Sequence, residues 1–255
     1  MMRLAYLLIF VLSLNISAQN NAIAAGEKLT YTASYNMSGI LTDLAQVTME
    51  TSHVKTSKAT LLRLKCTATT YSKWDSFFKI RDLYESYVNP KTLTPYLYNR
   101  DINEGSYYKN MKYTFSHKTK KVKSVQKKKK NQVENKTISI SSGTKDIVST
   151  MYYIRLYDYV NMAIGTSKTF SIIFDREEVK GQITYLGKET ISTAIGQKLC
   201  YKLAIGSSKA DVLQGKNSNF LWITADDNKI PVYGKFKIPV GNGELKIKSA
   251  TGLKN

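Results

Sequence analysis

The chain has 255 residues, with 38 lysines and arginines against 19 acidic residues, so its formal net charge is +19. Four prolines and no low-complexity linker predict a single domain. The two cysteines and two histidines are not at ligand spacing, which excludes a cysteine–histidine metal centre.

The N-terminus has the layout of a secretory signal peptide. Arg3 precedes the apolar run Leu4–Leu14, and the segment Ile16–Ala18 ends in small residues before polar Gln19. A membrane span would need about 20 apolar residues, so this run is too short for one. The layout predicts export. The short signal together with the tyrosine- and lysine-rich β sequence suggests the periplasm or outer envelope of a Gram-negative bacterium.

The same segment sets the predicted domain limits. We predict a signal peptide over residues 1–18, with cleavage after Ala18 and with Ala24 and Ala25 as alternative sites. A short leader over residues 19–25 and a single β domain over residues 26–255 follow. The sequence has no second long apolar run, so no transmembrane segment is predicted.

Apolar residues alternate with polar ones along most of this domain. In KLTYTASY, Leu29, Tyr31, Ala33 and Tyr35 fall on one side of the pattern, and the same period recurs at 170–174, 199–205 and 232–238. A period of two is typical of a strand with one buried face. The pattern predicts a mainly β fold: a curved antiparallel sheet, either an open barrel or a sandwich. Turn sequences occur at Asn36–Gly39, Asn89-Pro90, Asn103–Gly105, Asp226–Asn228 and Asn242-Gly243.

Aromatic residues are concentrated in YSKWDSFFKIRDLYESY, which includes Trp74, Phe78 and Tyr84. Phe220 and Trp222 form a second aromatic pair. Such side chains either fill a tyrosine-rich β core or line a groove for an apolar or sugar ligand. The candidate ligand-binding residues are Trp74, Phe78, Tyr84, Phe220 and Trp222.

Lysines are concentrated between Tyr108 and Lys136: this segment contains eleven lysines and one acidic residue, Glu134. The run has no arginine, and it belongs to an exported chain, so specific nucleic-acid binding is disfavoured. Tyr113 and Phe115 lead into it and Ile138 leads out, so we interpret it as the solvated tip of a long β-hairpin. The alternative is a polyanion contact to lipid head groups or acidic polysaccharide through Lys127, Lys128, Lys129 and Lys130.

One segment has helical spacing. Ile147, Met151 and Ile154 predict a short helix over Lys145–Tyr157, with Thr144 as its N-cap. This helix is too small to cover a large sheet. We therefore expect an apolar cavity between the sheet and the helix, with a solid aromatic core as the alternative.

No arrangement of residues predicts catalysis. His53 and His117 are isolated, and the chain has no nucleophile elbow, phosphate-binding loop or dinucleotide fingerprint. Adjacent acids at Glu177-Glu178 and Asp226-Asp227 point to opposite strand faces or form a turn, so they do not make a carboxylate pair across a cleft. We predict that the chain is not an enzyme and needs no cofactor and no metal.

The two cysteines are on opposite faces of the predicted strands. Cys66 shares its face with Leu62 and Leu64, whereas Cys200 alternates with the apolar residues Leu199 and Tyr201. This placement disfavours a disulfide between them.

Three stretches together resemble one family. GEKLTYTASY, DLYESYVNPKTLTPYLYNRDINEG and LWITADDNKIPVYGKFKIPVGNGELKI, with STMYYIR between the last two, are similar in order to domain-of-unknown-function family 3108. The resemblance implies an exported bacterial β protein and supplies no catalytic residues. The function we expect is a non-enzymatic envelope protein that holds a lipid or other apolar ligand. The alternatives are a carbohydrate-binding module and a structural or assembly partner.

Overall fold

The computed structural model describes residues 19–37, 40–128, 132–208, 218–238 and 241–255. The predicted signal peptide, residues 1–18, and the candidate residues Lys129 and Lys130 lie outside these described residues. In the part of the chain that is described, no helix combines the length and the apolar composition needed to cross a bilayer.

The fold is a single antiparallel sheet of fourteen strands, which confirms the predicted mainly β class. The strands are β1 Lys28–Met37, β2 Ile40–Lys55, β3 Thr60–Thr70, β4 Arg81–Val88, β5 Pro95–Glu104, β6 Tyr107–Ser116, β7 Lys121–Lys128, β8 Val133–Ser139, β9 Ser167–Phe174, β10 Glu177–Thr193, β11 Gly196–Ser207, β12 Phe220–Thr224, β13 Pro231–Ile238 and β14 Gly241–Thr251.

Strand order follows the chain in two runs that meet in the middle of the sheet. The order is β8-β7-β6-β5-β4-β3-β2-β1-β14-β13-β12-β11-β10-β9, so β1 pairs with β14 and leaves β8 and β9 as the edges. The sheet is curled but not closed into a barrel. We call the gap between β8 and β9 the seam.

A clasp of charged residues holds the seam together. The β9–β10 turn, Asp175-Arg176, has positive φ at both residues, 43° and 68°. The Asp175 carboxylate accepts hydrogen bonds from Arg100 Nη1 on β5 at 2.7 Å and from Lys109 Nζ on β6 at 2.9 Å. Arg176 pairs with Glu134 on β8 at 2.5 Å, and its backbone N–H donates to the Tyr113 hydroxyl. The clasp therefore joins the two halves of the sheet by side chains instead of a strand ladder.

The described residues contain one α-helix, α1 Ile147–Tyr153, which continues into a 3₁₀ turn, Ile154–Leu156. The predicted limits Lys145–Tyr157 are too wide, and Thr144 is not the N-cap. Lys145 is extended because its backbone bonds to Ser171 and Ile173 of edge strand β9. Asp146 is the N-cap, and its carboxylate accepts from Ser149 N–H at 2.8 Å in a capping box.

Beneath the helix the side chains pack against one another. Val148 and Tyr152 are buried in a cluster with residues of β1, β3 and β9. Packed aromatic and aliphatic side chains therefore occupy the space that this helix covers. A second cluster joins Ile154 and Tyr159 to Tyr185, Tyr201 and Leu203 on β10 and β11.

Two further predictions need correction. The lysine-rich segment is not only a hairpin tip: Lys121–Lys128 forms strand β7, in which exposed Lys121 and Lys123 alternate with buried Val122 and Ser124. Asn242-Gly243 is not a turn, because β13 and β14 already pair at Ile238 and Gly241. Of the other predicted turns, Asn89-Pro90 and Asp226–Asn228 lie between strands, Asn103–Gly105 includes the end of β5, and Asn36–Gly39 lies partly outside the described residues.

Both cysteines are free thiols. Burial raises the pKa of Cys66 and of Cys200 to about 12, so neither is a reactive thiolate at neutral pH.

The segment that follows the predicted cleavage site packs into the domain. Asn20 bonds to the backbone of Pro90 and Lys91, and Ala22 and Ile23 are buried in the core. Cleavage after Ala24 or Ala25 would remove these contacts. We expect N-terminal sequencing of the exported protein to return Gln19. A mature chain beginning at Ala25 or Gly26 would contradict this prediction.

Candidate functional site

One end of the sheet collects turns from the first eight strands. Because β1 to β8 run up and down in sequence order, the connections β1–β2, β3–β4, β5–β6 and β7–β8 lie side by side there. We call the described residues 40–41, 72–79, 104–107, 127–128 and 132–133 the basic apolar rim. It is the candidate site because large apolar side chains and lysines are exposed on it.

Large apolar side chains are exposed along this rim. Among the described residues, eleven large hydrophobic side chains are exposed, and six of them are on the rim: Ile40, Leu41, Phe77, Phe78, Tyr107 and Val133. Phe77 is 81% exposed and Ile40 is 70% exposed. An exposed apolar patch of this kind marks a site of contact with a protein, a membrane or a ligand.

The loop between β3 and β4 holds its aromatic residues in a fixed arrangement. A 3₁₀ turn, Ser72–Trp74, starts the loop, and the Trp74 indole N–H donates to the Asp43 carbonyl on β2 at 2.8 Å. The backbone N–H groups of Phe77 and Phe78 both donate to the Trp74 carbonyl. The Trp74 and Phe77 rings lie 6.0 Å apart. Phe77 is therefore presented to solvent by a hydrogen-bonded loop.

An ion pair fixes the base of the same loop. Arg81 on β4 donates to both oxygens of Asp75, at 3.1 and 2.5 Å. Hydrogen bonds from Arg81 and Thr70 hold the pKa of Asp75 below its ordinary value.

The charge on the rim is mainly positive. Lys73, Lys79, Lys127 and Lys128 are exposed, and Lys73 Nζ lies 5.5 Å from the centre of the Trp74 ring. Glu134 beside the rim is paired with Lys128 and Arg176. The rim thus combines apolar side chains with ammonium groups.

Two carboxyl groups lie close together behind the rim. Burial raises the pKa of Asp82, although Asn103 N–H and the Tyr84 hydroxyl donate to it at 3.0 and 3.2 Å. Burial and the neighbouring Asp82 also raise the pKa of Glu104. This pair retains a proton to a higher pH than isolated carboxyl groups do. The hydrogen bond from Asn103 N–H to Asp82 joins β5 to β4.

The family assignment follows from the sequence match. Residues 30–248 match the profile of a protein family of unknown function, DUF3108. The chain belongs to the DUF3108 family. The match spans most of the chain and confirms the resemblance of its three quoted stretches. No curated protein matches this DUF3108 chain.

Solved structures resemble the DUF3108 chain in fold. A β-barrel-like protein of another family of unknown function, DUF1849, from Brucella abortus superposes with a TM-score of 0.56 at 8% identity, covering 89% of this chain and 97% of that one. A protein described as exported, with a YmcC-like fold, from Bacteroides fragilis matches at 8% identity over 89% of this chain and 96% of that one, with a TM-score of 0.36. At 8% identity, the superposition with the Brucella abortus protein shows a similar fold and nothing further.

The five candidate aromatic residues of the DUF3108 chain do not form one site. Trp74 and Phe78 are on the rim, and Tyr84 is half-buried behind it, with the Arg100 guanidinium 5.7 Å from its ring. Phe220 and Trp222 are on β12, six strands away along the sheet. Phe77, which is 81% exposed, was not among the predicted binding residues, although it lies in the aromatic segment that supplied Trp74 and Phe78.

Trp222 is held inside the structure. Its indole N–H donates to Glu189 at 3.1 Å, and its ring stacks on Tyr233 at 4.9 Å. It is only 5% exposed, so it offers no open platform to a sugar ring.

The residues considered for catalysis serve local structure. The His117 ring bonds to the Pro95 carbonyl at 2.6 Å. Asp226 accepts from Thr224 and from Lys229 N–H within its predicted turn. Glu178 accepts from Ser141 and Thr144 beside the seam.

A polar groove lies elsewhere on the DUF3108 fold. It has a volume of about 690 Å³ and runs between β13, β14 and the outer end of the β10–β11 hairpin. Its wall combines apolar side chains with hydroxyl groups, the Tyr233 ring, two amino groups and one carboxylate. The polar members are Thr32, Asp43, Thr190, Ser192, Thr193, Tyr233, Lys246 and Lys248.

Proposed function

We propose that this DUF3108 protein is a non-enzymatic protein of the bacterial cell envelope that binds an anionic lipid surface through the basic apolar rim. The observation that carries the proposal is the concentration of exposed apolar side chains and lysines at one end of the sheet. Interfacial binding of proteins combines buried apolar area with attraction to anionic head groups.

The chemistry of the rim favours lipid over a soluble apolar ligand. Phe77 projects from a loop and Ile40 from the first position of β2, and both are largely exposed, so a planar apolar layer can cover them together. Trp74 and Tyr107 are residue types that concentrate at membrane interfaces. Each lysine near an anionic membrane surface contributes about 1 kcal/mol of attraction. Export through the predicted signal peptide would bring the rim to such a surface.

The proposal is tested by replacing Phe77 and Phe78 with serine and measuring co-sedimentation with vesicles. Full burial of a phenylalanine is worth about 1.5–3 kcal/mol. Partial insertion of two phenylalanines is therefore expected to account for at least about tenfold in the partition coefficient on phosphatidylglycerol vesicles. Binding to phosphatidylcholine vesicles should be weaker for the unmodified protein.

The matched control replaces Val160 and Ile164 with serine. These side chains are 72% and 73% exposed, similar to Phe77, but lie between α1 and β9 and off the rim. The control is expected to bind vesicles like the unmodified protein. Equal binding by both double variants, or no binding to anionic vesicles, would contradict the proposal.

The polar groove supports carbohydrate binding as a second candidate function. Its hydroxyl groups and the Tyr233 ring suit a sugar, and Lys248 favours an acidic one. Asp43 lies in the same wall, and Lys246 is paired with Glu244 at 3.0 Å. Retention on an acidic polysaccharide column that Tyr233→Ala removes and Phe77→Ser leaves intact would establish this function in place of the first.

A further inference from the structure

A pocket of about 360 Å³ lies along edge strand β9, beside the seam. It is open to solvent on one side and is lined by the segment Ser141–Gly143, by Thr169–Ser171 of β9 and by Tyr153 and Tyr157 of the helical segment. Its volume is within the range of small-ligand sites, about 300–1,000 Å³. None of its lining residues belongs to the rim. We call it the seam pocket.

Lys145 brings a buried ammonium group to the seam pocket. The residue is 7% exposed, and its Nζ lies 4.1 Å from the centre of the Tyr153 ring and 3.3 Å from the Leu93 carbonyl oxygen. Burial lowers the pKa of Lys145 to about 8, so the group is still mainly protonated at neutral pH. The neighbouring Asp146 is occupied elsewhere, by Ser86 at 2.6 Å and by the helix N-cap bond.

Lys180 on β10 supplies a second ammonium group. Its Nζ donates to the Ser171 hydroxyl at 2.6 Å. Glu178 is the nearby acid, but Ser141 and Thr144 already donate to its two oxygens and so fix one wall of the pocket. Across the described ranges, neither Lys145 nor Lys180 has a carboxylate within ion-pair distance. Lys145 is buried and Lys180 is exposed. The carboxylates of Asp146 and Glu178 act on them only from beyond ion-pair distance. Neither ammonium group therefore has an anion in direct contact, which is costly for the buried one.

We propose that the seam pocket binds a small organic anion, a carboxylate or phosphate ester carried on a ring. The anionic oxygens accept charge-assisted hydrogen bonds from Lys145 and Lys180, and the Ser171 hydroxyl is a further donor. The ring packs against Tyr153, Tyr157 and Phe170. This site is independent of lipid binding at the rim.

The test is calorimetric titration with three probes: benzoate, phenyl phosphate and uncharged benzyl alcohol. One or both anions are expected to bind with a millimolar or lower dissociation constant, and benzyl alcohol is expected not to bind. A hydrogen bond to a charged group contributes about 1.5–3 kcal/mol, so Lys180→Gln should weaken binding by about tenfold or more. The relative affinities of the two anions identify the preferred acid group.

The matched control is Lys168→Gln, which removes the same charge from an exposed position on the neighbouring strand β9 outside the pocket. It should leave the affinity unchanged. Lys145→Gln should abolish binding. If that variant does not fold, the ¹³Cε resonance of Lys145 in the unmodified protein gives the same information, because a bound anion raises the pH at which the amine titrates.

Three outcomes would overturn the proposal. They are no binding of either anion at millimolar concentration, equal loss of affinity in the Lys168 and Lys180 variants, and binding that leaves the Lys145 titration unmoved. Each would mean that Lys145 is held only by the Leu93 carbonyl and the Tyr153 ring.

Discussion

Replacing Arg155 with methionine is expected to lower the free energy of unfolding by about 3–5 kcal/mol, the cost of breaking a buried ion pair on one side. Arg155 follows α1 and is 1% exposed, and its guanidinium donates to both carboxylate oxygens of Glu27 at 2.7 Å. It also donates to the backbone carbonyls of Asn228 and Ala22. The substitution leaves the Glu27 carboxylate buried without a partner.

Arg155 joins parts of the chain that no strand ladder connects. The Glu27 and Ala22 contacts fix the N-terminal segment, and Asn228 in turn bonds to Asn255 at the C-terminal end. We therefore expect residues 19–27 to become protease-sensitive in the variant. The control is Lys28→Met, which breaks a half-exposed pair with Glu50 and should cost about 0–1 kcal/mol. Equal losses in urea unfolding for the two variants would contradict this account.

Replacing Asp175 with asparagine is expected to destabilise the fold by about 2 kcal/mol at neutral pH, between the values for exposed and buried ion pairs. The side chain is 37% exposed, whereas its partners Arg100 and Lys109 are 15% and 11% exposed. The substitution removes the charge that these two cations share across the seam. Asp227→Asn removes the same charge from an exposed turn and should have little effect.

The effect of Asp175→Asn should depend on pH in a defined direction. Burial opposes ionisation of Asp175, but the hydrogen bond from Lys109 and the charge of Arg100 outweigh burial and hold its pKa below the ordinary value. A lowered pKa gives stability that is present above the unfolded-state pKa, about 3.9, and is lost as the pH falls through the folded-state value. The difference between the two proteins should therefore begin to shrink near pH 4 and disappear only when the pH is below the folded-state pKa of Asp175. If the two proteins still differed in free energy of unfolding at a pH well below the folded-state pKa, the charge of Asp175 would not be what stabilises the clasp.

The β class was predictable because each long strand buries one face, so alternation such as Leu29 and Tyr31 is preserved in the sequence. The limits of the helix were not predictable from spacing alone. Lys145 has helical spacing relative to its neighbours, but backbone bonds to β9 make it extended. The strand β7 was not predicted because several of its buried residues, such as Ser124 and Gln126, are polar and do not give an apolar alternation.

The candidate site was predictable only where its residues are close in sequence. Trp74 and Phe78 lie in one aromatic segment, and that segment forms the exposed loop of the rim. The pairs Arg155–Glu27 and Arg100–Asp175 are separated by 128 and 75 residues, so only the folded sheet reveals them. Lys145 and Lys180 likewise meet only because the segment after β8 returns along β9.

The most direct test of the central claim is quenching of Trp74 fluorescence by lipids with brominated acyl chains. Trp222→Phe leaves Trp74 as the single tryptophan, and Trp74 lies 6.0 Å from Phe77 on the rim. With anionic vesicles, we predict a shift of the emission to shorter wavelength and strong quenching when the bromine atoms are near the head groups. Vesicle-bound protein whose Trp74 emission is neither shifted nor quenched would contradict binding through the rim.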